Sequence, residues 1–121
     1  MRSDLSVVVI SYNSAGWLPA CLRSLLANPD SASPDSAPNV VVVDNASRDG
    51  SADLVQQRFP QVRLIRSQTN LGFAGGANLG IRAADTDVVV LLNPDVVVEP
   101  TALARLADSL RADARAAIAG A

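Results

Sequence analysis

The sequence predicts an α/β fold: a doubly wound parallel sheet with helices on both faces. Three observations carry this. Short apolar runs rich in β-branched residues recur at Leu5–Ser11, Val40–Val43, Val62–Ile65 and Val88–Leu92. Stretches with apolar residues at helical spacing separate them, so strand and helix alternate along the chain. Polar clusters follow three of the runs: Tyr12-Asn13-Ser14, Asp44-Asn45 and Asn93-Pro94-Asp95. Strands buried on both faces cannot carry polar groups inside, so their chemistry emerges at their C-terminal ends, where open α/β sheets bind ligands.

The elements follow in order. Leu5 to Ser11 reads as a first buried strand, and Tyr12-Asn13-Ser14 turns the chain and caps a helix. That helix carries Leu18, Cys21, Leu22, Leu25 and Leu26 on one face, tolerates Pro19 in its first turn and ends at Pro29. Residues 29–38 form a polar, proline-rich surface loop. Val40 to Val43 is the second strand, and a helix with Leu54, Val55 and Phe59 follows, capped by Ser51 or Asp49 and broken at Pro60. Val62 to Ile65 is the third strand. The glycine-rich run Asn70-Leu71-Gly72-Phe73-Ala74-Gly75-Gly76-Ala77-Asn78-Leu79-Gly80 opens a helix that ends near Ala84. Val88 to Leu92, five apolar residues in a row, is a fourth strand buried on both faces. Pro100 starts a last helix with Leu103, Leu106, Ala107 and Leu110 on its apolar face, and residues 116–121 read as the opening of a fifth strand. Right-handed crossovers and a return past strand one give the order 3-2-1-4, with a crevice between strands one and four.

Composition narrows the chemistry. The 121 residues suit one domain with a substantial core. The chain has no lysine and its ten arginines are scattered, which argues against nucleic-acid binding. Its apolar runs are far too short to span a membrane, and a cytoplasmic location is the default expectation. Cys21 is alone and histidine is absent, which excludes a cysteine zinc site and both Ser-His-Asp and Cys-His catalysis. A metal would need oxygen ligands, as magnesium, manganese or calcium do.

Each polar cluster has a plain structural reading beside a functional one. Tyr12-Asn13-Ser14 is good turn chemistry, and Asp44-Asn45-Ala46-Ser47 makes an Asx turn with a helix cap. Functionally, Asp44 stands where dinucleotide folds place an acid against a nucleoside, and Arg48 can contact a phosphate or simply be solvated. The glycines are not a Walker loop, since lysine is missing, and not a Gly-x-Gly-x-x-Gly fingerprint. They serve either tight helix–sheet packing or close backbone approach to a ligand, and Asn70 and Asn78 tip the reading toward the ligand. Asp95 suits a divalent cation that bridges a diphosphate, and Asn93 offers a carbonyl or a donor to a sugar hydroxyl. The convergence of three clusters on one sheet edge favours function.

Four ordered stretches resemble a known family: Val7 to Asn13, Val42 to Ser51, Asn70 to Gly80 and Leu91 to Asp95. Together they are similar to the nucleotide-binding half of family 2 glycosyltransferases, nearest the bacterial rhamnosyltransferase-like branch. The resemblance implies a Rossmann-like sheet of the GT-A type. It implies that Ser11, Tyr12 and Asn13 form the base-contacting turn and that Asp44, with Asn45 and Arg48 beside it, reads the base. Gly75, Gly76 and Asn78 would lie on the donor side, and Asp95 would ligate magnesium or manganese. Asn93 replaces the first acid of the family's Asp-x-Asp motif, which lowers the charge there.

The implied activity is inverting transfer of a sugar, such as rhamnose, from a nucleoside diphosphate donor to a glycan hydroxyl, in cell-wall or polysaccharide synthesis. The enzyme would work in the cytoplasm, if anywhere on a membrane then at its inner face. Family members run well past this length, and their second half supplies the acceptor site and general base. Residues 1–121 are therefore expected to be the nucleotide-sugar-binding part of a longer domain, inactive alone. Asp108 and Asp113 read as solvated charges. The alternatives are a non-catalytic nucleotide-sugar-binding module and a nucleotidyltransferase-like enzyme.

Overall fold

The computed structural model describes residues 5–28 and 38–112. Strand and helix alternate: β1 (Leu5–Ser11), α1 (Leu18–Leu26), β2 (Asn39–Asp44), α2 (Ser51–Arg58), β3 (Arg63–Arg66), α3 (Gly72–Ala83), β4 (Val88–Leu92) and α4 (Ala102–Ala112). The four strands make one sheet in the order β3-β2-β1-β4, all parallel. The predicted order is the observed one. Pro29, the loop 29–38 up to residue 37, Asp113 and the fifth strand expected at 116–121 lie outside the described residues.

Pleating sorts the core into two layers. Leu5, Val7 and Val9 of β1, with Val40 and Val42 of β2, pack against Leu18, Cys21, Leu22 and Leu25 of α1, Val55 of α2, and Leu103 and Ala107 of α4. Val8, Ile10, Val41 and Val43 point the other way, toward Ala77 of α3. Every residue of β1 is buried, because it has a strand on each side and helices on both faces.

β4 departs from its expected double burial. Only Val88 is buried, and Leu91 is 39% exposed. β4 is an edge of the described sheet, paired with β1 alone. Five apolar residues in a row announce a strand, but whether both faces are covered depends on its neighbours.

The helix starts also differ from expectation. α1 begins after Trp17 without a side-chain cap: the Ser14 carbonyl accepts the amides of Trp17 and Leu18, and its hydroxyl donates to the Tyr12 carbonyl instead. α2 begins after Gly50, in the left-handed region at φ 84°. Asp49 nonetheless works like a cap one residue early, accepting from the Ser51 amide at 3.0 Å and from its hydroxyl. In α3, Gly75, Gly76 and Gly80 lie within the helix rather than before it. A Cβ on Gly80 would sit 2.1 Å from Val8 Cγ1, and one on Gly76 would sit 2.9 Å from Ile10 Cγ2. These two glycines let α3 lie close on the sheet, the packing reading that the sequence ranked second.

Candidate functional site

The C-terminal edge of the sheet brings three polar side chains into one row. Ser11 on β1 pairs in register with Asp44 on β2, and Asp44 with Arg66 on β3. In-register residues of parallel strands project from the same face, here the one that carries α1 and α2. Backbone bonds extend the ladder one step, Asn45 N–H to Ser11 O at 2.8 Å and Ser67 N–H to Asp44 O at 2.9 Å.

Above this edge, two asparagines tie the loops together. Asn13, held left-handed at φ 49°, accepts the Arg48 amide on Oδ1 at 2.8 Å, and its own amide donates to Ser47 Oγ at 2.8 Å. Asn45 is 2% exposed; its Nδ2 donates to the Gly72 carbonyl at 3.0 Å and its Oδ1 accepts the Leu71 amide at 3.3 Å. Asp49 adds a third tie, accepting the Ala15 amide at 3.0 Å. Burial pushes the Asp49 carboxyl upward, but bonds from the Ser51 hydroxyl and from the Ala15 and Ser51 amides outweigh it and hold the group below the usual carboxylate range. The loops after β1, β2 and β3 thus form one braced rim.

A pocket of about 580 Å³ opens in that rim. Tyr12, Asp44 and Arg48 line it, with Ala46, Ser47, Ala52 and the run Arg66 to Asn70. Asp44 is 4% exposed; its Oδ2 accepts the Ser47 amide at 3.0 Å, and its Oδ1 has no partner. A buried oxygen left without a donor is costly unless a ligand or water supplies one. Ser11 Oγ, its register neighbour, is also buried without a partner. Arg66 Nη2 donates to Asp53 Oδ1 at 2.8 Å and to Gln56 Oε1 at 2.6 Å, so α2 steadies the guanidinium at the pocket wall.

The eleven residues expected at the site therefore separate into groups. Tyr12, Asp44 and Arg48 line the pocket, and Ser11 lies in the register row beside it. Asn13 and Asn45 brace its loops, Asn13 through its side-chain oxygen and Asn45 through both atoms of its side-chain amide. Gly75, Gly76, Asn78, Asn93 and Asp95 are not among the lining residues. The pocket sits over the ends of β2 and β3, whereas the expected crevice lay between β1 and β4. Arg66 and the residues Ser67 to Thr69 are the contributors that sequence reasoning missed, while Asn70, read there as facing a ligand, lines the pocket with them. The signal was present, since Arg66 closes an apolar strand just as Asp44 does.

Asn93 and Asp95 follow β4 and are exposed. Among the described residues no three His, Cys, Asp or Glu side chains gather as a metal cage. Asp95 alone fits a cation whose other ligands are phosphate and water oxygens, the usual manner of magnesium. Burial and the charge of Asp95 together push the Cys21 thiol up to about 11.

Residues 6–121 match the family model described as glycosyl transferase family 2. The chain belongs to glycosyltransferase family 2. It is 32% identical over 120 residues to an N-acetylglucosaminyl-diphospho-decaprenol L-rhamnosyltransferase of Mycobacterium tuberculosis, covering 90% of this chain and 38% of that protein. It is 37% identical over 115 residues to the succinoglycan biosynthesis protein ExoO of Rhizobium meliloti, covering 94% and 31%. The chain thus spans about a third of these relatives' lengths. Among solved structures, the mannosyltransferase PcManGT from Pyrobaculum calidifontis, in complex with GDP-Man and Mn2+, superposes with a TM-score of 0.78 at 27% identity, over 94% of this chain and 34% of that one. TarS 1-349 of S. aureus in complex with UDP-GlcNAc gives 0.70 at 26%, over 88% and 32%. The parallel sheet in the order 3-2-1-4 is thus the GT-A type of this glycosyltransferase family. No helix among the described residues is long and apolar enough to cross a membrane.

Proposed function

We propose that this chain binds the nucleoside diphosphate of a sugar donor, for inverting transfer of the sugar, rhamnose among the candidates, to a glycan hydroxyl. The observation that carries this is the buried carboxylate of Asp44, which lines the pocket with Oδ1 free at the C-terminal edge of a GT-A sheet. Asp44 reads the base, the Tyr12 ring offers an apolar wall, and Arg48 supplies positive charge toward ribose or phosphate. From β2 across β1 to β4 is two strand spacings, about 10 Å. A ribose and diphosphate laid along that edge bring the phosphates to Asn93 and Asp95.

Asp95 would hold magnesium or manganese on the diphosphate, and the metal would neutralise charge on the departing phosphate. Asn93 donates to a sugar hydroxyl, and Gly75, Gly76 and Asn78 flank the donor from α3. The base that deprotonates the acceptor hydroxyl lies outside these residues, and the reaction belongs in the cytoplasm. That the similar solved proteins hold GDP-Man with Mn2+ or UDP-GlcNAc supports a nucleotide-sugar donor.

Calorimetric titration with nucleoside diphosphates, with and without manganese, tests the reading. One diphosphate should bind, tightened by manganese. Asp44→Ala should weaken it about tenfold or more, by loss of a hydrogen bond to a charged group. Asp95→Ala should abolish only the manganese effect. Binding untouched by both substitutions would overturn the assignment.

A further inference from the structure

We propose that Asp49 is a positioning residue for donor binding: it clasps the loops after β1 and β2 so that the Arg48 guanidinium is presented to the bound nucleotide. This inference rests on the donor-site reading above and adds a residue that does not itself line the pocket. Tyr12 and Asp44 take their places from the sheet, since Asp44 ends β2 and Tyr12 follows the last residue of β1. Arg48 lies beyond the ladder, whose last bond on this side is from the Asn45 amide to the Ser11 carbonyl. Among the described residues its guanidinium has no partner. Its direction is therefore set by the backbone that carries it.

That backbone is bent against its own preference. Ala46 is left-handed at φ 64° and Gly50 at φ 84°, one on each side of Arg48. A Cβ makes that conformation unfavourable, and such strain persists only where the surroundings over-determine it. Asn13 supplies one half of the restraint, donating its amide to Ser47 Oγ and accepting the Arg48 amide, both at 2.8 Å. Asp49 supplies the other half. Its Oδ2 accepts the Ala15 amide at 3.0 Å, and its Oδ1 accepts the amide and hydroxyl of Ser51. Ser51 Oγ in turn accepts the Ser14 amide at 3.1 Å. Both loops and the start of α2 thus meet at one carboxylate. Ser14 and Ser51 are buried, so water does not readily replace these bonds.

Charge alone predicts the opposite sign. A carboxylate beside Arg48 repels an anionic ligand, so removing it would tighten nucleotide binding. Positioning predicts weaker binding, because a loop freed from Ala15 and Ser51 spreads the guanidinium over many directions.

The test is a double-mutant cycle read by calorimetric titration of this chain with uridine, thymidine and guanosine diphosphates, magnesium present. For the diphosphate that binds, Arg48→Ala should weaken affinity about tenfold, by loss of a charged contact. Asp49→Asn, which keeps the shape but removes one acceptor and the charge, should weaken it severalfold. In the Arg48→Ala background Asp49→Asn should change affinity no further, while still lowering the Tm by a similar amount in both backgrounds. Tighter binding in Asp49→Asn would make the carboxylate a simple charge and overturn the proposal. An equal loss of affinity in both backgrounds would overturn it too, since that marks general loosening of the pocket. Unchanged affinity in Arg48→Ala would do the same and leave the donor site standing. Binding of none of the three diphosphates to the unsubstituted chain would overturn the donor site and this role together.

Discussion

At the scale of single residues, Asn13 combines two demands. Its backbone is left-handed at φ 49°, and its side chain accepts the Arg48 amide at 2.8 Å. Asparagine tolerates that conformation better than most residues, and its short carbonyl reaches a neighbouring loop. Asn13→Ala should therefore lose both advantages and destabilise the chain by about 2 kcal/mol, whereas Asn13→Gly, which keeps the conformation, should lose about 1 kcal/mol. Urea unfolding of the two variants would check the difference; equal losses would show that backbone strain plays no part. Cys21 gives a prediction in pH. Its thiol is raised from 9.0 to about 11 by burial and by Asp95. The unfolded chain ionises at the lower pH, so stability is fully present below about 9 and falls as pH rises toward 11. The loss should be on the order of 2 kcal/mol and absent in Cys21→Ala, as read by unfolding at pH 8 and pH 10.5.

Among the elements, α3 shows most plainly what sequence can and cannot state. Four glycines in nine residues signal a close approach, but the sequence leaves open whether ligand or sheet comes near. Gly80 answers for the sheet, since a Cβ there would meet Val8 Cγ1 at 2.1 Å, in the middle of a fully buried strand. Neither α3 nor β1 can yield without opening the layer between them. Gly80→Ala should cost about 1–3 kcal/mol, against the gain of up to about 1 kcal/mol expected for the same change in an open helix. A stabilised Gly80→Ala variant in thermal unfolding would contradict this packing. The pocket shows a related limit. Asp44 was legible because an acid that ends an apolar strand is conspicuous. Asn13 and Asn45 drew the same attention, yet their polar atoms serve backbone amides and carbonyls of adjoining loops, which only the folded chain brings within reach. Arg66 was passed over because β3 is short and its pattern weak, with arginine at both ends.

For the molecule as a whole, the strand order followed from general rules of handedness and connection, and those rules are independent of side-chain detail. The exposure of β4 did not follow, because a strand's sequence does not report how many strands flank it. The sheet also has a temporal consequence. β1 is buried along its whole length, yet it pairs with β2 from residue 39 onward and with β4 only from residue 88 onward. At a synthesis rate of about 5–20 residues per second, β4 follows β1 from the ribosome by roughly 4–16 seconds. Throughout that interval the run Val7-Val8-Val9-Ile10 has one side without its strand. The same placement that gives the finished sheet its dry centre leaves the strand destined for the deepest burial open to capture by chaperones or by other chains.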